Sequence, residues 1–286
     1  SICSVILLGD ESGYEVGDVQ KTKLAAIEAE WHTEEAPAAF TLFGLPNDET
    51  METDYAIKIP YLMGIIATRS FDTEVMGITD IIAENELKIR NGMVAYGLLQ
   101  QLRSGQTDEQ TKQQFDAVKE DLGYGLLLKK YTDNVVNASD ADVKSAARDT
   151  VPAVAPLFWS FRIMVACGFA MLVIFTLSFY HCAKRQEYKK RWLLWICLFA
   201  LPLPWIAAEL GWFVAEFGRQ PWTISGILPT HLSTSSVSVD TVFNSLIAFV
   251  VFYTLLFILE MYLMIRFVRL GPSSLHTGRY HFENNH

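Results

Sequence analysis

The chain has 286 residues, 51% of them hydrophobic, and a formal net charge of -9. Three long apolar windows exclude an ordinary soluble domain, and no nucleic-acid partner is expected. The averages conceal two environments: Asp10 to Thr150 holds 13 basic and 26 acidic residues, the rest of the chain 10 basic and 6 acidic.

Taken from the start, SICSVILL (Ser1 to Leu8) is apolar but too short to cross a bilayer, which takes about 20 helical residues. It lacks the basic start of a signal peptide. The stretch reads as the tail of a preceding transmembrane helix, which makes the chain the later part of a longer polypeptide. GDESGYEVGDVQKTKLAAIEAEW follows, Gly9 to Trp31, and its second half is rich in helix formers. Lys23 and Glu28 lie five residues apart, about 140° around an ideal helix, so they are not an intrahelical pair. Their charges either solvate a surface helix or, emerging beside a membrane, grip a polar head group and accept its protons.

Residues 34 to 60 carry scattered Pro, Gly and acids and read as loop. Thr79 to Ser104 and Thr107 to Tyr131 read as two amphipathic helices joined by SGQT, the second opening on a capping box, TDEQ. SDADVKSAARD, Ser139 to Asp149, reads as a short capped helix. No phosphate-binding glycine loop and no hydrolase triad occurs in this region. Residues 9–156 together form one external, mainly helical domain.

Three windows are apolar enough to span: Leu157 to Phe179, Trp192 to Phe217 and Val242 to Ile265. The expected fold is therefore an all-α integral membrane protein, a transmembrane bundle with a large external loop domain. His181 to Arg191 carries five basic residues and one acid, and the tail carries Arg266, Arg269 and Arg279, so both should face the cytoplasm. The cysteines, Cys3, Cys167, Cys182 and Cys197, sit in or beside apolar segments without metal or redox spacing and read as packing residues.

Chemistry concentrates in the first two spans. Arg162, Met164 and Gly168 occur in FRIMVACG, where Met164 is either a packing residue or an axial haem ligand, and Arg162 is placed for propionates. In the second span Trp205, Glu209, Trp212, Glu216 and Arg219 are spaced 4, 3, 4, 3 and share one stripe, which has to face something polar. LPLP, Leu201 to Pro204, should kink that helix. Glu260 in the third span is a proton-path residue or the partner of a group outside the chain. None of the six histidines lies in an apolar span, so any haem-ligating histidine comes from elsewhere. On residues alone, a transporter or receptor subunit with an external solute-binding domain remains open beside a redox subunit.

GDESGYE with KTKLAAIEAEW, FRIMVACG, GWFVAEFGRQPW and LGPSSLHTGRYHFE occur in one order, and with them the chain resembles the later part of subunit I of cytochrome bd quinol oxidase. The resemblance covers essentially the whole chain. It implies a haem-containing subunit of a bacterial cytoplasmic-membrane oxidase that oxidises quinol externally, reduces oxygen to water and generates a proton-motive force. It implies a low-spin haem b, a high-spin haem b and a haem d, with a second large membrane subunit, small accessory subunits and upstream helices supplying histidine ligands. By resemblance Lys23 and Glu28 meet quinol, Met164 binds the low-spin haem iron beside Arg162, and Glu216 belongs to a high-spin haem site. Trp212 and Arg219 would then form haem surroundings, with Glu209 as a further candidate.

Overall fold

The computed structural model describes residues 2–34, 36, 38–63, 74–105, 108–185 and 190–270. Thr107 of the expected capping box, Lys189, Arg279, the last three histidines and nearly all of the LGPSSLHTGRYHFE motif lie outside them. The described chain is mostly helical and falls into two compact units, one through Ser233 and one from Thr234.

The first unit opens with α1 (Ile2–Val19), so the apolar start and the acidic stretch after it form one continuous helix. Gln20 interrupts it, and α2 (Lys21–Glu28) follows. Ala29 ends α2 in the left-handed conformation, φ 53°. The Ala29 and Glu30 amides bond back to the carbonyls of Ala26 and Ala25, the paired closure of a Schellman cap. Ala25, Ala26 and Ile27 of α2 are buried against Ile78, Ile81, Leu157, Phe158 and Val214. Small residues at 25 and 26 let α2 lie close between three other helices.

The segment expected as loop instead holds a β-hairpin, β1 (Phe40–Asn47) with antiparallel β2 (Glu52–Ile59). Gly44 and Pro46 disguise the alternation, and register shifts on either side of Phe43 break the simple period of two. Asn47 supplies the turn signal: its side-chain oxygen accepts the amide of Glu49 at 2.9 Å. The Trp31 indole donates to Thr53 at 3.0 Å and ties the hairpin to the end of α2.

The long helix α3 (Ile78–Arg103) matches expectation. Its expected partner over 107 to 131 breaks into α4 (Glu109–Val118), a 3-10 turn, α5 (Leu122–Leu126) and a second 3-10 turn. Glycines explain the break. A Cβ on Gly92 of α3 would sit 2.3 Å from the amide nitrogen of Gly125, so the two backbones touch where neither residue has a side chain. The expected capped helix is α6 (Asp140–Asp149), whose Ser139 and Asp142 form a complete capping box. Ile89, Leu128, Val143 and Trp222 meet in the core of this helical region.

Helix α7 (Val154–Ala183), 30 residues and about 45 Å long, is the first of three helical stretches long and apolar enough to cross a membrane. The second, Arg191–Phe217, is broken as LPLP requires, into α8 (Arg191–Phe199) and α9 (Leu203–Phe217), with Pro204 inside the first turn of α9. α9 packs along α7, whereas α8 touches α7 sparsely. After α9 a short hairpin, β3 (Trp222–Ile224) and β4 (Leu228–Pro229), inserts Trp222 into the helical region. The second unit contains α10 (Val239–Leu270), the third spanning candidate.

Candidate functional site

Two polar clusters flank α2, and each uses one of the residues that the sequence singles out there. The first is built on Arg162, on the third turn of α7. Its Nη1 donates to the Ile27 carbonyl at 2.7 Å, its Nε to the Thr41 carbonyl at 3.0 Å, and its Nη2 to Glu28 Oε2 at 3.1 Å. The guanidinium lies over the Phe158 ring, 3.3 Å from its centroid. Arg162 therefore fastens the end of α2 and the start of β1 to the first span, with its donors directed at protein acceptors.

Glu28, 3% exposed, completes this cluster. Burial pushes its carboxyl up to about 7, while the Arg162 charge and hydrogen bond and the Thr41 amide oppose the rise. A carboxyl poised there exchanges a proton near neutrality, as a base for a neighbouring hydroxyl must.

The second cluster gathers Lys23, Glu216 and Arg219. Lys23 Nζ reaches the Ala215 carbonyl at 3.4 Å, and its stem runs beside Gly218, whose added Cβ would lie 3.0 Å from Lys23 Cγ. Glu216 and Arg219, one turn apart, form an ion pair. Burial, and then the nearby Arg219 charge, hold the Lys23 amine below the usual lysine range. Lys23, Lys88, Tyr124, Arg219 and Gln220 line a cavity of about 220 Å³. Arg219 Nε and Gln20 Oε1, both buried and on residues lining this cavity, have no hydrogen-bond partner among the described residues.

Lys23 and Glu28 are thus not brought together: one turns to the end of α9, the other to α7. Met164 lies two residues beyond Arg162 and faces α9, where a Cβ on Gly211 would stand 3.1 Å from its sulfur. A Cβ on Gly168 would meet nothing within 4 Å. Trp205 and Trp212 are 72% and 65% exposed, Glu209 is exposed too, and the stripe they share points away from the packed face of α9. Glu260 is exposed on α10. Among the described residues no group of three His, Cys, Asp or Glu is arranged to hold a metal ion. Gly211 and Thr41 escape the sequence reading: a lone glycine in an apolar run and a threonine in an apparent loop carry no local signal.

Residues 1–272 match the family described as cytochrome bd terminal oxidase subunit I. The chain belongs to that family. It is similar to the cytochrome bd-II ubiquinol oxidase subunit 1 of Escherichia coli, 42% identical over 97% of this chain and 54% of the relative. It is also similar to the cytochrome bd ubiquinol oxidase subunit 1 of Bacillus subtilis, 26% identical over 88% of this chain and 42% of the relative. The chain spans about half the length of these curated relatives.

Cytochrome bd subunit I proteins imply haem, and the residues here fit such a group. The Met164 thioether faces Gly211 of α9, and the space over Gly168, one turn further along α7, is open, which leaves room for a planar ring on this helix. The exposed tryptophan and glutamate stripe of α9 supplies a wide aromatic and acidic face among the described residues.

Proposed function

We propose that this chain is part of the catalytic subunit of a respiratory quinol:oxygen oxidoreductase that oxidises quinol at the external side of a bacterial cytoplasmic membrane. The observation that carries the reading is Glu28: a buried carboxyl raised to about 7 and bonded to Arg162, two residues from Met164 on the same helix. The proton acceptor is fastened to the same helix that carries the candidate iron ligand. Lys23 donates to the substrate head group from the neighbouring cluster, and Glu28 takes the hydroxyl protons as electrons leave.

Met164 would hold a low-spin haem b, Glu216 would serve a high-spin site shared by a second haem b and haem d, and Trp212, Arg219 and Glu209 would line that site. Haem, when bound, supplies the electron-transfer and oxygen-reducing chemistry. The chain's own residues position it, balance charge and move protons. Arg162 holds the end of α2, and Glu28 with it, against α7. Residues 9–156 form the external quinol-binding region and the C-terminus is cytoplasmic. The partners are quinol, oxygen, the upstream helices of the subunit that carry histidine ligands, a second large membrane subunit and small accessory subunits. The relatives named as ubiquinol oxidase subunits give no support to a transporter or receptor.

In the assembled complex, Lys23→Ala and Glu28→Ala should each lower quinol oxidation about 5-fold to 150-fold, the loss of one head-group hydrogen bond worth roughly 1 to 3 kcal/mol. Haem content and spectra should not change, and an artificial donor that reduces the low-spin haem should bypass both defects. Normal quinol oxidation in both variants would refute the site.

A further inference from the structure

Glu28 has no direct way to return a proton to water, because its side chain is only 4% exposed. A route begins two residues on. The left-handed turn at Ala29 separates Glu28, which meets Arg162, from Glu30, whose Oε2 lies 3.8 Å from Lys58 Nζ on β2. Glu30 opens on a cavity of about 340 Å³ that Thr41, Thr53, Glu34 and Lys58 also line. Thr41 is the shared wall: its amide bonds the Glu28 carboxylate and the same residue faces this cavity. Side-chain exposure rises along the series, 4% at Glu28, 9% at Glu30 and 30% at Glu34. Lys58 is ion-paired with Glu34, and His32 and Glu52 are exposed at the cavity lining.

We propose that Glu30, with Glu34 and Lys58, forms the exit path by which protons accepted by Glu28 reach external water. The inference rests on the quinol reading above. Oxidation of one quinol to quinone gives up two electrons, taken by haem iron, and two protons. For each proton, an O–H bond breaks at the Glu28 carboxyl and one forms at the Glu30 carboxylate, the proton crossing past Thr41, which bonds the first and lines the cavity of the second. Glu30 then passes it to Glu34 or directly to solvent and is ready again. Burial raises Glu30 to about 7, opposed by Lys58 and reinforced by Glu34 and Glu28, so donor and acceptor hold the proton with similar strength and transfer is reversible. Lys58, held above its usual range by the two carboxylates against the opposing effect of burial, stays cationic beside the outer carboxylates.

The plain alternative is a structural ion-pair cluster holding the hairpin to α2. Glu30→Gln distinguishes them, because it preserves shape and leaves Lys58 paired with Glu34. In the assembled, haem-loaded complex the relay requires kcat for quinol oxidation at pH 7 to fall about 10-fold with KM and haem spectra unchanged. The solvent deuterium isotope effect should grow, and Glu30→Asp should restore most of the rate. An unchanged kcat overturns the relay. So does a slow Glu30→Gln whose defect Glu30→Asp does not restore, or one that alters KM or haem spectra, since either marks a structural role. Glu28→Gln keeps the two claims apart: if it oxidises quinol normally the quinol reading fails, and if it is slow while Glu30→Gln is normal only the exit path fails.

Discussion

Replacing Arg162 by leucine removes the link between α2, β1 and the first span, and the size of the loss follows from what each donor holds. The carbonyls of Ile27 and Thr41 lose charged donors at 2.7 and 3.0 Å, and two buried acceptors left unpaired cost about 3 kcal/mol together. Glu28 adds a term that depends on pH. Its folded-state value is already about 7, above the ordinary 4.5, so the folded protein binds this proton more tightly than the unfolded chain does. A raised carboxyl loses folding stability as pH rises toward its folded value, and removing Arg162 raises that value further. At pH 7 the carboxyl takes up a proton at a cost of only a few tenths of a kcal/mol. At pH 8.5 the same step costs about 2 kcal/mol, at about 1.4 kcal/mol per pH unit. Arg162→Leu should therefore lower the opening free energy of residues 24–31 and 40–47 by about 3 kcal/mol at pH 7 and about 5 kcal/mol at pH 8.5. Amide exchange in the detergent-solubilised complex, corrected for intrinsic rates, measures both values. The double variant Arg162→Leu/Glu28→Leu should keep the first loss and lose its pH dependence. Unchanged protection refutes the anchoring role, and an equal loss at both pH values refutes the part assigned to Glu28.

Two further outcomes are expected. Met164→Leu keeps the packing volume against Gly211 and removes the thioether, so the complex should assemble while its low-spin haem spectrum is lost; an unchanged spectrum rules out this sulfur as ligand. Gly92→Ala places a methyl 2.3 Å from the Gly125 amide nitrogen and should force α3 and α5 apart, with a loss of about 1 to 3 kcal/mol seen as faster proteolysis of residues 78–130.

The spans, the break at LPLP, helix α3 and the Ser139 cap are all legible in the sequence because each depends on neighbours within one or two turns. The β-hairpin is not, because Gly44 and Pro46 obscure its alternation and its anchors, Trp31 to Thr53 and Arg162 to Thr41, come from distant parts of the chain. The break after Val118 is hidden for a similar reason: the glycines that cause it matter only once Gly92 and Gly125 meet. At the site, the residue types are readable, while their partners are not. Arg162 reads as a cation for an external group, and the fold gives it Glu28 and two carbonyls. Lys23 and Glu28 read as two groups meeting one head group, and the turn of α2 between α7 and α9 sends them to different clusters.

The break between α8 and α9 has a mechanical consequence. A continuous helix would act as a rod, carrying any displacement of its start at Arg191 to the Trp212 and Glu216 stripe at its far end. Here the regular helical ladder gives way to turn-type bonds at Ala200 to Pro202, and the far segment is clamped to α7 while the near one is held weakly. Bending is absorbed at the prolines. The stripe therefore keeps its position relative to Met164 when the near end of the span tilts, much as a flexible coupling isolates a fixed bearing from a moving shaft.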